Sequence, residues 1–273
     1  MSRPTIVEGG NQAFQLPASM IHTPMTTQLD GHAFRLLYWI LWEAHRHERW
    51  PRQEDEPSAL EVRYCGNAMR AGAGLTTENG YRGVRAALES LASVKFQGVD
   101  DEIWGFQGGI VAGFRELPGP NFQVMLPAVL AAANWRPLAR YALLNMDHIR
   151  RLRQPLDFAV YVRACEVARA RQPQFELSLA DIAWISGSRQ GTSWAALRRP
   201  FLGACERVAA LAGGRFLIQA WCCGDYHGAD SFLIRVGVHG RPMNHRFPVR
   251  HRALYFEVDL AGSRRYEPQN RRS

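Results

Sequence analysis

The feature that most constrains the fold of this chain is an internal repeat, in which two halves match in order and in apolar pattern. Segments 36–47 and 159–170 both show the periodicity of an amphipathic helix and align at an offset of 123 residues. Two identities support this alignment, Tyr38 with Tyr161 and Glu43 with Glu166. A repeat of this kind predicts two units of similar architecture, each with its own core.

A short helix is predicted next in each half. Segments 64–72 and 179–187 align at an offset of 115 residues, and each ends in a glycine that can adopt a positive φ. In the second copy, Ser178 is predicted to cap the helix. Asp181 lies in its first turn, where the helix dipole favours a carboxylate.

A long helix follows, and its two copies align at an offset of 113 residues. Apolar residues recur at i, i+3, i+7 and i+10, which places them on one face of an α-helix. The matched members of this stripe are Tyr81 with Trp194, Val84 with Leu197, Leu88 with Phe201 and Leu91 with Ala204. On this alignment Arg85 corresponds to Arg198. Pro200 removes a backbone donor and should bend the second copy.

Strand-like runs separated by glycines follow each long helix, as β-turns require. Three helices and a β-hairpin make a winged helix, a variant of the helix-turn-helix. The sequence therefore predicts an α+β fold with two tandem winged-helix domains related by internal duplication. The predicted segments are an N-terminal tail at 1–22, a first domain at 23–143, a second domain at 144–239 and a basic C-terminal arm at 240–273.

The outer face of each long helix indicates what it contacts. The third helix of a helix-turn-helix enters the major groove, so its outer face must be small and must carry long hydrogen-bond donors. The candidate DNA-binding residues are Thr77, Asn79, Arg82 and Arg85 in the first half, and Arg189, Gln190, Thr192, Ser193, Arg198 and Arg199 in the second. Any one of these arginines alone would be read as a solvated surface charge. Their collective pattern favours a nucleic-acid interface.

The composition agrees with such a partner. The formal net charge is +8, and Lys95 is the only lysine among 33 basic residues. Arginine makes bidentate contacts with phosphate and guanine that lysine cannot make, although a GC-rich genome produces the same bias. The longest apolar runs are too short to span a bilayer, and the first 25 residues contain no signal-peptide core. We therefore expect a cytoplasmic protein with no membrane partner.

At these residues the sequence resembles the plasmid replication initiators that have two tandem winged-helix domains. The resemblance is clearest at 140–220, where Tyr141, Val160 and Tyr161, the run Phe175 to Asp181, and Arg215 follow the order of that family. It implies a non-enzymatic protein without a cofactor that binds direct repeats in double-stranded DNA at a replication origin. It also implies a homodimer that represses its own gene, a monomer that initiates, and recruitment of host proteins such as the helicase.

Other readings remain open. A winged-helix transcriptional regulator would keep the same fold, and a protein-binding adaptor would present Trp39 and Trp42 to a partner. A metal-dependent nicking enzyme would need His45 and His47 on one face of a strand, whereas they are predicted at a helix end.

Metal binding has weak support in the sequence, and phosphate binding by a P-loop is excluded. Cys222, Cys223 and His227 are metal-type residues, but they lack zinc spacing and are predicted at a turn. No segment has the pattern of a nucleotide-binding P-loop.

Replacing Arg85 or Arg198 with alanine is expected to weaken binding to a specific duplex by about 1–3 kcal/mol, because a base contact would be lost. An electrophoretic mobility-shift titration of each variant measures this change. A variant that binds as tightly as the wild type would remove its residue from the interface.

Overall fold

The computed structural model describes residues 12–17, 21, 28–46, 60–75, 80–96, 108–109, 111–127, 141–168, 170, 173–189, 191–212, 215–221, 231–237, 254–259 and 261–265. The chain divides into two compact units, one formed by Gly9–Arg153 and the other containing Gln154–Ser273. Both combine helices with antiparallel sheet, so the predicted α+β class is confirmed. None of the described helices has the length and apolar character needed to cross a membrane.

The first unit contains four described helices and seven strands. In chain order these are β1 Ala13–Pro17, α1 Gly31–Arg46, β2 Leu60–Cys65, α2 Gly66–Gly72, α3 Gly80–Ser93, β3 Lys95–Phe96, β4 Gly108–Gly109, β5 Gly113–Leu117, β6 Asn121–Leu126, β7 Tyr141–Asn145 and α4 Met146–Arg151. The main sheet has the order β2-β6-β5, while β1 pairs with β7 and β3 with β4.

The second unit contains three described helices and five strands. In chain order these are α5 Pro155–Val167, β8 Gln174–Ser178, α6 Leu179–Ile185, α7 Trp194–Ala212, β9 Arg215–Trp221, β10 Ser231–Gly237, β11 Leu254–Asp259 and β12 Gly262–Arg265. They form one sheet of order β12-β11-β9-β10-β8.

The two units share one strand topology. In each, the strand after the first helix pairs with the second strand of the later hairpin, which gives β2-β6-β5 and β8-β10-β9. The cross-strand partners are equivalent as well, since Tyr64 lies opposite Phe122 and Leu177 opposite Phe232. This equivalence was not visible in the sequence, because strand pairing is a long-range property.

The hydrogen bonds that end the short helices also match. The backbone amides of Ala73, Gly74 and Leu75 donate to the carbonyls of Met69, Ala71 and Arg70, and those of Ser186, Gly187 and Ser188 donate to Ile182, Trp184 and Ala183. Each pair of equivalent residues is 113 apart, the same offset as in the long helices. The predicted offset of 115 for the short helices is therefore wrong.

The glycine that ends α2 also differs from the prediction. Gly74, with φ +63°, takes the left-handed conformation at the end of α2, and Gly187, with φ +73°, takes it at the end of α6. Gly72 was expected there, but it is the last residue of α2. Its lack of a side chain serves packing, because a Cβ at this position would overlap the indole of Trp39.

The predicted cap of α6 is confirmed. The Ser178 hydroxyl accepts from the Asp181 amide at 3.0 Å, and the Asp181 carboxylate accepts from the Ser178 amide at 2.9 Å. The reciprocal pair satisfies two backbone donors that the helix leaves free.

The apolar stripes of the long helices form the two cores, with one exception. Val84, Leu88 and Leu91 are buried in the first unit. Trp194, Leu197, Phe201 and Ala204 are buried in the second. Tyr81, predicted in the first stripe, is 41% exposed, while its match Trp194 is 7% exposed. The Tyr81 hydroxyl instead donates to Asn67 Oδ1 at 3.0 Å, so the ring lies at the edge of α2.

The aromatic residues of α1 are buried too. Trp39 and Trp42 are both core residues, and the Trp39 ring meets Tyr64 edge-on with centroids 5.2 Å apart. This contradicts the adaptor reading, in which both indoles would face a partner. α1 ends at Arg46, so His45 lies in its last turn as predicted, while His47 lies outside the described residues.

The boundary between the units falls at Arg153 and Gln154, later than the predicted boundary between Leu143 and Leu144. Two contacts explain the difference. β7 pairs with β1 along its whole length, and Arg150 of α4 donates to the Gly72 carbonyl at 2.7 Å. The pairing also brings residues 13–17, predicted as tail, into the first unit.

The C-terminal segment predicted as a basic arm contributes strands to the second sheet. β11 pairs with β9 on one side and with β12 on the other. The alternating apolar and polar residues at 254–260 predict a strand, and β11 covers most of this run. Residues 240–253, 260 and 266–273 lie outside the described part of the chain.

Replacing Asp157 with alanine is expected to lower the free energy of unfolding of the second unit by about 1.5–3 kcal/mol. The buried carboxylate accepts from Arg207 Nε and Nη2 at 3.0 and 2.7 Å and from the Gln154 amide at 3.0 Å, so all three bonds would be lost. Urea unfolding followed by circular dichroism measures the change. The exposed Glu176 provides the control, since Glu176→Ala should stay within about 0.5 kcal/mol. Equal effects of both substitutions would contradict the assignment.

Candidate nucleic-acid interface

The outer face of α3 is small and basic, as predicted. Arg82, Arg85 and Ala86 are exposed and Gly83 is half-buried, on the side opposite the buried Val84 and its stripe. Thr77 and Asn79, which were also assigned to this surface, lie outside the described residues. The Arg82 side chain is exposed and forms no ion pair with a carboxylate of the described residues.

Arg85 is held by two carboxylates. Its Nε donates to Glu89 Oε1 at 3.0 Å, one turn along α3, and its Nη1 lies 3.3 Å from Glu116 Oε1 on β5. The hydrogen bond to Glu89, and then the charge of Glu116, raise the pKa of the Arg85 guanidinium. The side chain nevertheless stays 58% exposed, so the pair orients the guanidinium without burying it.

The turn before α7 brings together three of the predicted residues of the second half. The Thr192 amide donates to the Arg189 carbonyl at 3.2 Å, and Gly191 adopts φ +81° within this turn. The Ser193 carbonyl accepts from the amides of the first turn of α7, which places Ser193 at the helix start. Arg189 and Ser193 are exposed, whereas Gln190 lies outside the described residues.

Arg198 and Arg199 lie on the outer face of α7 and differ in their contacts. The Arg198 guanidinium carbon lies over the ring of Phe256 on β11, 5.1 Å from its centroid. Arg199 is exposed and forms no ion pair with the carboxylates of the described residues. α7 continues through Pro200 to Ala212. The two neighbouring arginines therefore differ, since Arg198 stacks on a ring of the sheet and Arg199 is an exposed side chain.

Sequence reasoning missed three residues that contact the predicted arginines. Glu89 could have been found, because a carboxylate four residues after Arg85 lies on the same helix face. Glu116 and Phe256 could not, since their approach depends on the packing of β5 and β11 against the helices. Phe256 is buried, and its ring also meets Trp194 at a centroid distance of 6.2 Å.

β12 adds basic groups to the second unit. Arg264 pairs with the buried Glu257, with Nη2 and Oε2 3.0 Å apart, while Arg265 is exposed. The Ser263 amide donates to Glu206 of α7 at 2.9 Å, which attaches the end of the sheet to the long helix. The second unit thus supports α7 with strands that have no described counterpart in the first unit.

A metal site is not assigned by the structure. Cys222, Cys223 and His227 lie outside the described residues, and the described ones include no group of three or more metal-type side chains.

Comparisons with known proteins show a likeness at the level of structure. No protein-family model and no curated protein matches the sequence. Among solved structures, the chain is similar to a crystal structure of the Pi initiator protein in complex with iteron DNA. The match covers 85% of this chain and 100% of that chain, with a TM-score of 0.59 and 10% identity. The resemblance to initiators indicated by the sequence is thus confirmed for the fold.

The contact between Arg198 and Phe256 is expected to contribute about 0.5–1 kcal/mol to the stability of the second unit, because a cation lies over an aromatic face at a largely exposed site. A double-mutant cycle with Arg198→Ala and Phe256→Leu measures this coupling by urea unfolding. Leucine keeps an apolar side chain in the core and removes the ring face. Strictly additive effects of the two substitutions would show that the stacking has no energetic role.

Proposed function

We propose that this chain is a plasmid replication initiator that binds direct repeats in double-stranded origin DNA and acts without catalysis. Each unit is proposed to be a winged helix, and the two to have arisen by internal duplication. In this proposal α3 and α7 are the recognition helices, each of which enters a major groove. The protein would act in the cytoplasm.

One observation carries this proposal. Both units have the element order helix, strand, short helix, long helix and hairpin, and both long helices bury one apolar face while exposing arginines on the other. A single basic helix is common on protein surfaces. Here two basic helices are related by one offset of 113 residues, and each follows a matching glycine turn. This arrangement fits a pair of DNA-binding helices better than two unrelated basic surfaces. The likeness in fold to an initiator solved with iteron DNA supports the same reading.

The charges on these surfaces suit a duplex. Arg82 on α3, Arg189 before α7 and Arg199 on α7 are exposed and can reach phosphates or base edges. The net charge of +8 adds a long-range attraction to DNA that does not depend on its sequence.

A transcriptional regulator remains the second candidate, since binding alone does not separate the two roles. Its support is the same pair of helices. Replication distinguishes them: an initiator should maintain a plasmid that carries its origin in a host without another initiator. A regulator would repress a reporter gene and fail to maintain that plasmid.

The remaining partners stay predictions. Because the sequence has no P-loop, opening of the origin would depend on binding energy and on host proteins such as the helicase. A homodimer formed through the first unit would account for repression of the initiator's own gene.

In vitro selection from a random duplex pool is expected to enrich one site of about two helical turns, contacted in two major-groove segments. Fluorescence anisotropy on that duplex should show affinity falling about a thousandfold between about 50 and about 200 mM salt, because several phosphate contacts release counterions. A scrambled duplex of equal length is the control. Absence of DNA binding at low salt would contradict the proposal, and a covalent nicked product with Mn²⁺ would replace it with the nicking reading.

A further inference from the structure

Arg85 and Arg198 are equivalent by the 113-residue offset, yet the structure surrounds them differently. Arg198 rests on the Phe256 ring. Arg85 contacts two carboxylates, Glu89 on its own helix and Glu116 on β5. If both arginines served only to attract phosphate, an acidic environment around one of them would work against that task.

The charges of this cluster argue against a phosphate contact. One guanidinium and two carboxylates carry a formal charge of −1, and all three side chains are more than half exposed. A phosphate that approached Arg85 would therefore also meet Glu89 and Glu116 at short range. Like charges brought this close repel, and the repulsion is least screened at low salt.

The described contacts of the Arg85 guanidinium involve two of its three nitrogens. Arginine has five N–H donors in a fixed plane, of which Glu89 takes the one on Nε and Glu116 faces Nη1. No described residue forms a hydrogen bond or an ion pair with Nη2. The two terminal nitrogens together can donate in parallel to O6 and N7 of a guanine, the pair of acceptors that this base shows in the major groove.

We infer that Glu89 and Glu116 are positioning residues that restrict Arg85 to reading a guanine. They hold the guanidinium plane by two contacts from different elements, so less side-chain freedom is lost on binding. They also penalise the phosphate contacts on which sliding along unrelated DNA depends. Glu89 and Glu116 therefore increase discrimination between sites at some cost in total affinity. This inference rests on the proposed function, since it requires that α3 faces DNA.

The test is the double substitution Glu89→Gln and Glu116→Gln, which keeps the shape of both side chains and removes both charges. Wild type and variant are titrated by fluorescence anisotropy with the duplex selected by the wild type and with a scrambled duplex, over a series of salt concentrations. The variant is expected to bind the scrambled duplex more tightly, with a salt slope steeper by about one phosphate contact. The ratio of the two affinities is expected to fall about tenfold.

Two controls separate this effect from a general change in charge or stability. Glu61→Gln with Glu176→Gln makes the same change in net charge at exposed carboxylates that do not contact Arg85, and it should leave the affinity ratio unchanged. In an Arg85→Ala background, Glu89→Gln and Glu116→Gln should no longer alter the ratio. Thermal unfolding of every variant confirms that the first unit is folded.

Three outcomes would overturn the inference. An unchanged affinity ratio, or an equal loss of affinity for both duplexes, would show that the carboxylates have no part in discrimination. A fall in the ratio that persists in the Arg85→Ala background would show that they act independently of Arg85. If the wild type binds no duplex at all, the proposed function fails as well, whereas binding with an unchanged ratio overturns the inference alone.

Discussion

The arrangement of both units depends on one backbone constraint, the left-handed glycine that ends each short helix. At Gly74 and Gly187 the chain turns at positive φ, and three amides donate back to the last carbonyls of the helix. A residue with a side chain would pay roughly 1–2 kcal/mol in this conformation. The turn lets the chain leave the short helix sharply enough to begin a long helix a few residues later. Because it recurs with identical hydrogen bonds, the two long helices are presented by equivalent local structure.

Packing of the long helix then decides which residues face solvent. Val84 and Leu88 on α3, and Leu197 on α7, are buried against their units. A helix with one buried stripe must expose the residues at the intervening positions, whatever their chemistry. In this chain those positions hold arginine, alanine and glutamate, so the basic faces follow from the burial of the apolar stripes. A change of ligand would therefore require substitutions only among the exposed residues of the helix, and the buried stripe could stay the same.

The sequence predicted features that depend on residues close together in the chain, and it did not predict features that depend on residues far apart. The stripes apart from Tyr81, the Ser178 cap and the position of His45 at the end of α1 were readable, because they depend on neighbours within a few residues. The unit boundary was not, since β7 belongs to the first unit through β1, more than 100 residues earlier in the chain. Arg35 shows the same limit. It is buried on α1, and its Nε and Nη1 have no hydrogen-bond partner among the described residues, although its residue type predicts an exposed position.

At the candidate interface, the internal repeat predicts which residues are equivalent but not which groups they contact. The offset of 113 residues aligns Arg198 with Arg85. The same offset relates the hydrogen bonds of the glycine turns and the buried stripes of the two long helices. The offset does not predict which side chains surround each arginine, because those side chains come from neighbouring strands that differ between the units. β5 brings Glu116 to one arginine, while β11, which has no described counterpart in the first unit, brings Phe256 to the other. The long helices α3 and α7 therefore follow equivalent turns in their units, while the charges around their equivalent arginines differ. In the proposed function, this difference would let α3 and α7 recognise unequal halves of a DNA site.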